Sequence, residues 1–293
     1  MNRPLLLLPL LATTALAAAE PAGLAAARAL FDANRFPEAR RAFEGLLATE
    51  PDSADVHYYL GELALERGDT DAAVRESERA VALAPDSARD HGGLGDAYGR
   101  SAEKAGLIGG FRLARKCLAQ YVRASALEPK NTDFHERLFE YYSRAPSILG
   151  GGSDKAASEA ATLEKLDPKR GRLAFAALYL AGGKYDLALS ELDEVLRTAP
   201  EDYASLYQVG HLAAVSGQHL DRGLSALRHC LRLGAPRGEP SHSAAQWRLG
   251  NILEKKGDPG GARAAYQAAL ALDPRFTPAQ DALRNLDRAA GGG

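Results

Sequence analysis

Residues 54–87 read ADVHYYLGELALERGDTDAAVRESERAVALAPDS, and their pattern is the clearest indication of the fold in the chain. Apolar residues recur three and four positions apart on both sides of the polar turn Arg67-Gly68-Asp69, which predicts two amphipathic helices joined by a short connection. Pro85 ends the second helix, because proline cannot continue a helix. One such hairpin cannot bury its own apolar face, so it needs a similar hairpin beside it.

The same signals return along the rest of the chain. Pro51 and Pro85 are 34 residues apart, and further prolines close apolar helical runs at Pro129, Pro168, Pro200 and Pro274. Hydrophobic–Gly pairs such as Leu60-Gly61 and Leu249-Gly250 precede these prolines, with an alanine between pair and proline at Ala73 and Ala262. A fixed period of this length is typical of a repeat architecture.

The pattern resembles the tetratricopeptide repeat (TPR), a 34-residue helical hairpin with a hydrophobic–Gly pair in its first helix, an alanine in its second and a closing proline. The resemblance implies an all-α solenoid, a right-handed superhelix, over residues 20–293. Its seven repeats are expected at 20–53, 54–87, 88–131, 132–168, 169–202, 203–242 and 243–276, followed by a capping helix at 278–290.

Two of these repeats are longer than 34 residues. We predict their extra residues, at 101–111 and 145–155, to form long loops between the two helices of each repeat. The second loop contains Gly150-Gly151-Gly152, but its spacing does not match a phosphate-binding loop and no strand precedes it. We therefore predict a long turn with Ser153 or Asp154 as the N-cap of the next helix.

Residues 1–19 are predicted to be a cleavable signal peptide. Arg3 precedes an apolar run from Leu5 to Leu16, and small residues then offer A-x-A cleavage sites that end at Ala17 or Ala19. The run is short for a membrane span, so a retained anchor is the alternative, and no cysteine nearby allows a lipid anchor. A periplasmic or secreted location is expected, with no transmembrane segment in the mature chain.

No pattern in the sequence predicts catalysis or metal binding. G-x-S-x-G, H-E-x-x-H and C-x-x-C are all absent. His57, His91 and His135 share one register, but stacked helices lie about 8–10 Å apart, whereas zinc needs its ligands at about 2 Å. These histidines are predicted to pack between repeats, and Cys117 and Cys230 to be small buried residues. We predict no enzyme, no catalytic residue, no metal and no cofactor.

The resemblance implies that the first helix of each repeat lines a concave groove. Its predicted binding residues are Tyr58, Glu62, Asp96, Arg100, Glu136, Glu140, Arg144, Tyr207, His211, Trp247 and Asn251. The earlier members are mainly acidic and the later ones more aromatic, so we expect a partner with basic and apolar residues. The structural alternative is that these are solvated helix faces, with Trp247 packing locally.

The predicted function is a non-catalytic scaffold or adaptor of the cell envelope that binds a protein or peptide. A net charge of −2 argues against nucleic acid, which attracts basic proteins. The alternative function is a binding module or enzyme that uses the loops at 101–111 and 145–155 as a ligand site. The sequence leaves the oligomeric state open.

Overall fold

The computed structural model describes residues 22–236 and 239–291, and every regular element in these ranges is helical. The predicted signal peptide at 1–19 lies outside the described residues. Within the described ranges, no helix is both long enough and apolar enough to cross a bilayer.

Fifteen α-helices and one short 3-10 helix follow one another in the described part of the chain. Their bounds are α1 Ala22–Asp32, α2 Phe36–Leu47, α3 Ala54–Glu66, α4 Thr70–Leu83, α5 Ala88–Lys104, α6 Leu107–Leu127, α7 Thr132–Arg144, the 3-10 helix Ser147–Leu149, α8 Ser153–Leu166, α9 Pro168–Ala181, α10 Tyr185–Thr198, α11 Tyr203–Ser216, α12 Leu220–Cys230, α13 His242–Lys255, α14 Pro259–Leu272 and α15 Thr277–Gly291.

A recurring signal separates one hairpin from the next. Two residues after a closing proline stands a residue whose side chain caps the following helix, at Ser53, Ser87, Asn131 and Asp202. The Asp202 carboxylate, for example, accepts a hydrogen bond from the Ser205 amide at 3.0 Å. Each cap satisfies an amide that the helix start would otherwise leave without a partner.

Glycines make the turns inside several hairpins. Gly68, Gly183 and Gly257 have φ values of 74°, 68° and 74°, a region that side chains with a Cβ avoid. These are the turns between α3 and α4, between α9 and α10, and between α13 and α14. A left-handed residue at each of these positions reverses the chain within three residues, so the two helices of the hairpin pack side by side.

The chain divides into two compact units between Leu113 and Ala114. In the first unit, Leu24 of α1, Phe43 of α2 and Tyr59 of α3 belong to one apolar core. The rings of Phe43 and Tyr59 are stacked with centroids 4.9 Å apart. The aromatic contact joins α2 of one hairpin to α3 of the next, so neighbouring hairpins share this core.

The second unit has its largest core around α9–α13. Leu192, Leu212, Leu227 and Ile252 are almost completely buried there, together with Cys230. Toward the C-terminus, α15 packs on α14, where Ala262, Tyr266, Ala269 and Ala279 are fully buried. The apolar residues of α15 therefore cover the apolar face of the last hairpin.

The prediction of a long loop at 101–111 is wrong. Helix α5 continues to Lys104 and α6 begins at Leu107, so only Ala105 and Gly106 lie between them. The extra residues lengthen both helices, to 17 and 21 residues, against 13 and 14 in α3 and α4. Gly110, within the predicted loop, instead allows close packing, since a Cβ there would lie 3.1 Å from the Ala102 carbonyl oxygen.

The second connection is shorter than predicted. Non-helical backbone and the 3-10 helix occupy 145–152, while residues 153–155 already belong to α8. The N-cap is Gly152, which has no side chain to cap with, so the prediction of Ser153 or Asp154 as cap is wrong. Gly151 is required at its position, because a Cβ there would collide with the Ala145 carbonyl.

Candidate functional site

In the first unit, Tyr58 and Glu62 lie on α3, and Asp96 and Arg100 lie on α5. All four are at least partly accessible, and Arg100 is the most exposed, with its guanidinium 4.0 Å from the Glu103 carboxylate. The Tyr58 ring packs against the backbone of α5, where a Cβ on Gly93 would come within 3.0 Å of it. The four residues therefore lie on two neighbouring first helices, as predicted.

Arg89 of α5 contacts Tyr58 and Asp55 of α3 and was not among the predicted binding residues. Its guanidinium lies over the Tyr58 ring at 4.3 Å and pairs with Asp55 at 2.7 Å and with the fully buried Asp90 at 2.8 Å. Burial lowers the pKa of Arg89, but the hydrogen bonds and charges of Asp90 and Asp55 outweigh it and raise the pKa above its ordinary value. Arg89 stays charged and fixes the Tyr58 ring.

In the second unit, Glu136, Glu140 and Arg144 lie four residues apart along one face of α7. Glu140 and Arg144 are exposed. Glu136 accepts a hydrogen bond from Arg170 of α9 at 3.1 Å, and the same guanidinium binds Asp133 at 2.5 Å. Burial raises the pKa of Glu136, Asp133 and Glu140 add to the rise, and Arg170 opposes it. The acidic character predicted for this face is thus partly neutralised within the chain.

Tyr207 does not present an accessible ring. Only 7% of the residue is exposed, and it belongs to the core around α9–α13. Its prediction as a binding residue is corrected to a packing role, because α11 is surrounded by apolar neighbours on more faces than a single stripe would give. Its ring is tilted by 48° relative to the imidazole of His211, with centroids 6.4 Å apart.

His211 is half-buried and uncharged at neutral pH. Burial lowers its pKa to about 4, and the positive charge of Arg248 adds to the effect. Its Nδ1 lies 3.3 Å from the Gln208 side-chain oxygen, a geometry in which Nδ1–H donates to the amide. A neutral imidazole next to Tyr207 gives this part of the surface an apolar character.

Arg248 of α13 is the functional candidate that the sequence analysis missed. Its Nε is buried and has no hydrogen-bond partner, and no ion pair to it occurs among the described residues. Its guanidinium lies over the Trp247 ring at 4.2 Å and acts electrostatically on His211 of α11. The available signal was a cation next to the only tryptophan on a predicted first helix.

The two remaining predicted residues are engaged within the chain. Trp247 is half-buried and meets Phe276 edge-on at 6.0 Å, which is the local packing that was weighed as an alternative. The Asn251 side-chain oxygen lies 2.8 Å from the Tyr266 hydroxyl, and that hydroxyl also lies 2.5 Å from the Glu254 carboxylate. Burial, followed by the nearby Glu254, raises the pKa of Tyr266.

The three histidines in one register have the predicted structural role. Nε2 lies 3.0 Å from the Pro51 carbonyl in His57, 2.9 Å from the Pro85 carbonyl in His91 and 3.0 Å from the Pro129 carbonyl in His135. Each ring therefore ties the first helix of a repeat to the closing proline before it. Among the described residues, no group of three His, Cys, Asp or Glu side chains is placed to hold a metal ion.

Two family models, both described as tetratricopeptide repeat, match this chain at residues 24–98 and 243–276. These ranges contain most of α1, the whole of α2–α4 and most of α5, and then nearly all of α13 and the whole of α14. The chain is a tetratricopeptide repeat protein. The search of curated proteins found no match.

Solved structures agree on the fold of this TPR protein. A tetratricopeptide repeat protein from Parabacteroides merdae has a TM-score of 0.68 at 14% identity, covering 90% of this chain and 97% of its own. Yeast Tom70 has a TM-score of 0.64 at 16% identity, covering 87% of this chain and 52% of its own. Pseudomonas aeruginosa PilF has a TM-score of 0.53 at 15% identity, covering 79% and 97%. At these identities the likeness shows the TPR solenoid fold alone.

The TPR fold generally serves protein–protein interaction and generally carries no catalytic machinery of its own. TPR proteins bind proteins or peptides. The first helices α3, α5, α7, α11 and α13 of this chain carry the predicted binding residues, with Arg248 added and Tyr207 assigned to the core.

Proposed function

We propose that this protein is a non-catalytic scaffold of the cell envelope that binds a protein or peptide segment on the first helices of its repeats. The observation that carries the proposal is Arg248. Its Nε is buried without an acceptor and no side chain pairs with its guanidinium, so the accessible part of this charged group can donate hydrogen bonds to a carbonyl or carboxylate oxygen of a bound segment.

The surroundings of Arg248 favour a segment with an apolar side chain next to that oxygen. Trp247 covers one face of the guanidinium, and His211 is kept neutral beside it. An apolar side chain of the partner would therefore contact the Trp247 and His211 rings, while a carbonyl or carboxylate oxygen of the partner accepts hydrogen bonds from Arg248.

Basic side chains of a partner have complementary surfaces in each unit. Glu140 of α7 is exposed, and Glu62 and Asp96 are accessible on α3 and α5. Exposed charges of this kind favour encounter with an oppositely charged segment and add less to its affinity. Since the whole chain has a net charge of −2, the preference proposed is for a basic and apolar protein segment rather than nucleic acid.

The proposed location in the envelope depends on residues 1–19. Their charged start, apolar run and A-x-A motifs are the sequence features of an exported protein. N-terminal sequencing of the protein recovered from a periplasmic or culture fraction is expected to begin at Ala18 or Glu20. Recovery of the uncleaved chain in the membrane fraction would instead support the retained anchor.

The alternative function, a ligand site built from loops at 101–111 and 145–155, has lost one of its two premises. Residues 101–104 and 107–111 are helical, so the first of these loops does not exist. The proposal therefore assigns no enzymatic activity to the chain.

The test uses photo-crosslinking in the native envelope. A photoreactive amino acid at Asn251, on the same helix as Arg248, is expected to capture a specific partner, whereas the same probe at the exposed Leu187 of α10 is not. Replacing Arg248 by Gln is expected to lower the recovered partner by about tenfold, the loss typical of one charged hydrogen-bond donor.

The matched control is Arg228→Gln, an exposed arginine on the second helix α12. This change is expected to leave capture unaltered. Equal capture by the Arg248 and Arg228 variants would refute the assignment of the binding surface, and capture from both probe positions would show contact without specificity.

A further inference from the structure

The first turn of helix α6 exposes large apolar side chains to solvent. Leu107, Ile108 and Phe111 are 79%, 88% and 37% exposed. Positions 107, 108 and 111 are neighbours on one face of a helix, so the three side chains form a continuous apolar tip. We call this surface, Leu107 with Ile108 and Phe111, the α6 tip.

Glycines of the first turn of α6 pack against the end of α5 and the connection that follows it. A Cβ on Gly110 would lie 3.1 Å from the Ala102 carbonyl oxygen, and one on Gly109 would lie 3.4 Å from the Ala105 Cβ. The first turn of α6 thus uses its smallest residues for packing and turns its largest apolar residues to water. Burial of such side chains is favourable, so the arrangement indicates a surface that binds an apolar partner or the apolar interior of a bilayer.

The charge along α6 is one-sided. Between Glu103 and Glu128 the sequence contains five basic residues and no acidic residue, although the whole chain has a net charge of −2. Arg112 follows the tip directly, is exposed, and has no acidic partner among the described residues. Lys104, at the end of α5, is also exposed. A surface that complements the tip therefore combines negative charge with an apolar interior.

The size of the α6 tip separates a membrane from a protein partner. Three side chains fall far short of the roughly 1,200 Å² that a stable protein–protein interface buries. A bilayer needs only a few inserted apolar side chains, and its anionic head groups attract flanking Lys and Arg. We infer that the α6 tip docks this protein on the surface of an anionic lipid bilayer, with Leu107, Ile108 and Phe111 inserted and Arg112 at the phosphate groups.

The test places a fluorescent reporter in the tip of the full-length chain. Phe111→Trp in a Trp247→Phe background makes the tip the only source of tryptophan emission. With vesicles of phosphatidylcholine and about 30% phosphatidylglycerol, the emission is expected to shift to shorter wavelength and to be quenched by lipids brominated in the acyl chains. The control is Leu187→Trp in the same background, an apolar position on α10 that is 51% exposed. No shift or quenching is expected there.

Two further variants test the two parts of the mechanism. Leu107→Ser with Ile108→Ser is expected to lower the vesicle partition coefficient of the Phe111→Trp reporter by about tenfold or more. Because both residues are exposed, circular dichroism should show unchanged helix content. Arg112→Gln is expected to weaken binding to the anionic vesicles and to leave the weaker binding to pure phosphatidylcholine unchanged.

Three outcomes would overturn the inference. Unquenched tip emission on anionic vesicles would show that the α6 tip does not insert. Equal quenching at the Leu187 position would place the contact elsewhere in the chain. If the Phe111→Trp emission already lies at short wavelength without any lipid, the protein itself covers the tip, through another segment or a second copy.

Discussion

Single glycines set how closely the helices of this protein approach one another. Gly171 of α9 lies against the backbone of Glu164 in α8, so any Cβ there would overlap main-chain atoms. Gly210 of α11 lies under the Leu227 side chain. Main-chain atoms cannot move aside as the end of a flexible side chain can, which makes Gly171 the stricter requirement.

Replacing Gly171 by Ala is therefore expected to lower the free energy of unfolding by about 3 kcal/mol, the upper range for overpacking. Gly45→Ala is the matched control, since a Cβ on Gly45 of α2 has no neighbour within 4 Å. That change is expected to raise the free energy of unfolding by about 0.5–1 kcal/mol, because alanine has a higher helix propensity than glycine. Urea unfolding followed by circular dichroism measures both, and equal effects would contradict the packing argument.

His211 gives a pH dependence with a definite sign. Its pKa is about 4 in the folded chain, below the ordinary value of 6.5. Between these values the unfolded chain binds the proton and the folded chain does not, so this contribution to stability is present above pH 6.5 and is lost as the pH falls toward 4. Relative to His211→Gln, the wild-type protein should lose more of its free energy of unfolding over this interval. Parallel pH profiles of the two proteins would disprove the assignment.

At the scale of the element, short polar caps decide where helices begin. The proline that ends one hairpin and the cap two residues later form a compact stop-and-start signal, as in Pro85-Asp86-Ser87. The Ser87 hydroxyl accepts a hydrogen bond from the Asp90 amide at 3.3 Å. The lengthened α5 and α6 show the limit of such signals, because Gly109 and Gly110 lie inside α6 without interrupting it.

Ser87→Ala is expected to cost about 1 kcal/mol of stability, because the helix start loses its side-chain acceptor. Ser125→Ala serves as control, since Ser125 lies inside α6 and bonds only its own helix, to the Val122 carbonyl at 3.1 Å. This second change should be nearly neutral. Thermal or urea unfolding compares them, and a neutral Ser87→Ala would show that the cap contributes nothing.

At the scale of the whole molecule, stability comes from each hairpin covering the next. Within the first unit α2 packs on α3 and α4 on α5, and within the second α8 packs on α9 and α12 on α13. Such arrays gain their stability from nearest-neighbour interfaces, so an end without a cover is costly. In the second unit α15 supplies that cover over Ala262, Tyr266 and Ala269.

Ending the chain after Asp273, which removes α15, should lower the stability of the second unit by about 2 kcal/mol or more through exposed apolar surface. Trp247 is the reporter, because its contact with Phe276 is removed as well. Its emission is expected to shift to longer wavelength. Leu272→Ala, at a position that is 56% exposed, should change neither quantity. An unshifted emission after the truncation would contradict a covering role for α15.

The helical repeats can be predicted from the sequence alone, because the features that define each repeat are local. A polar turn with glycine, an alanine at the helix contact and a closing proline each act within one repeat, so they can be recognised without any distant contact. The same locality placed the first helices and hence Glu62, Asp96, Glu136 and Glu140 on the accessible surface.

Which of those surface positions are accessible to a partner depends on contacts between repeats, which the sequence does not reveal. Tyr207 and Trp247 share one position in their repeats, yet Tyr207 is sealed in the core of the second unit and Trp247 is half-buried. Arg248 became a candidate only when its guanidinium proved to lack an acceptor. The physical reason is that burial and hydrogen-bond satisfaction depend on side chains from other repeats, whose approach is not encoded within the 34-residue period.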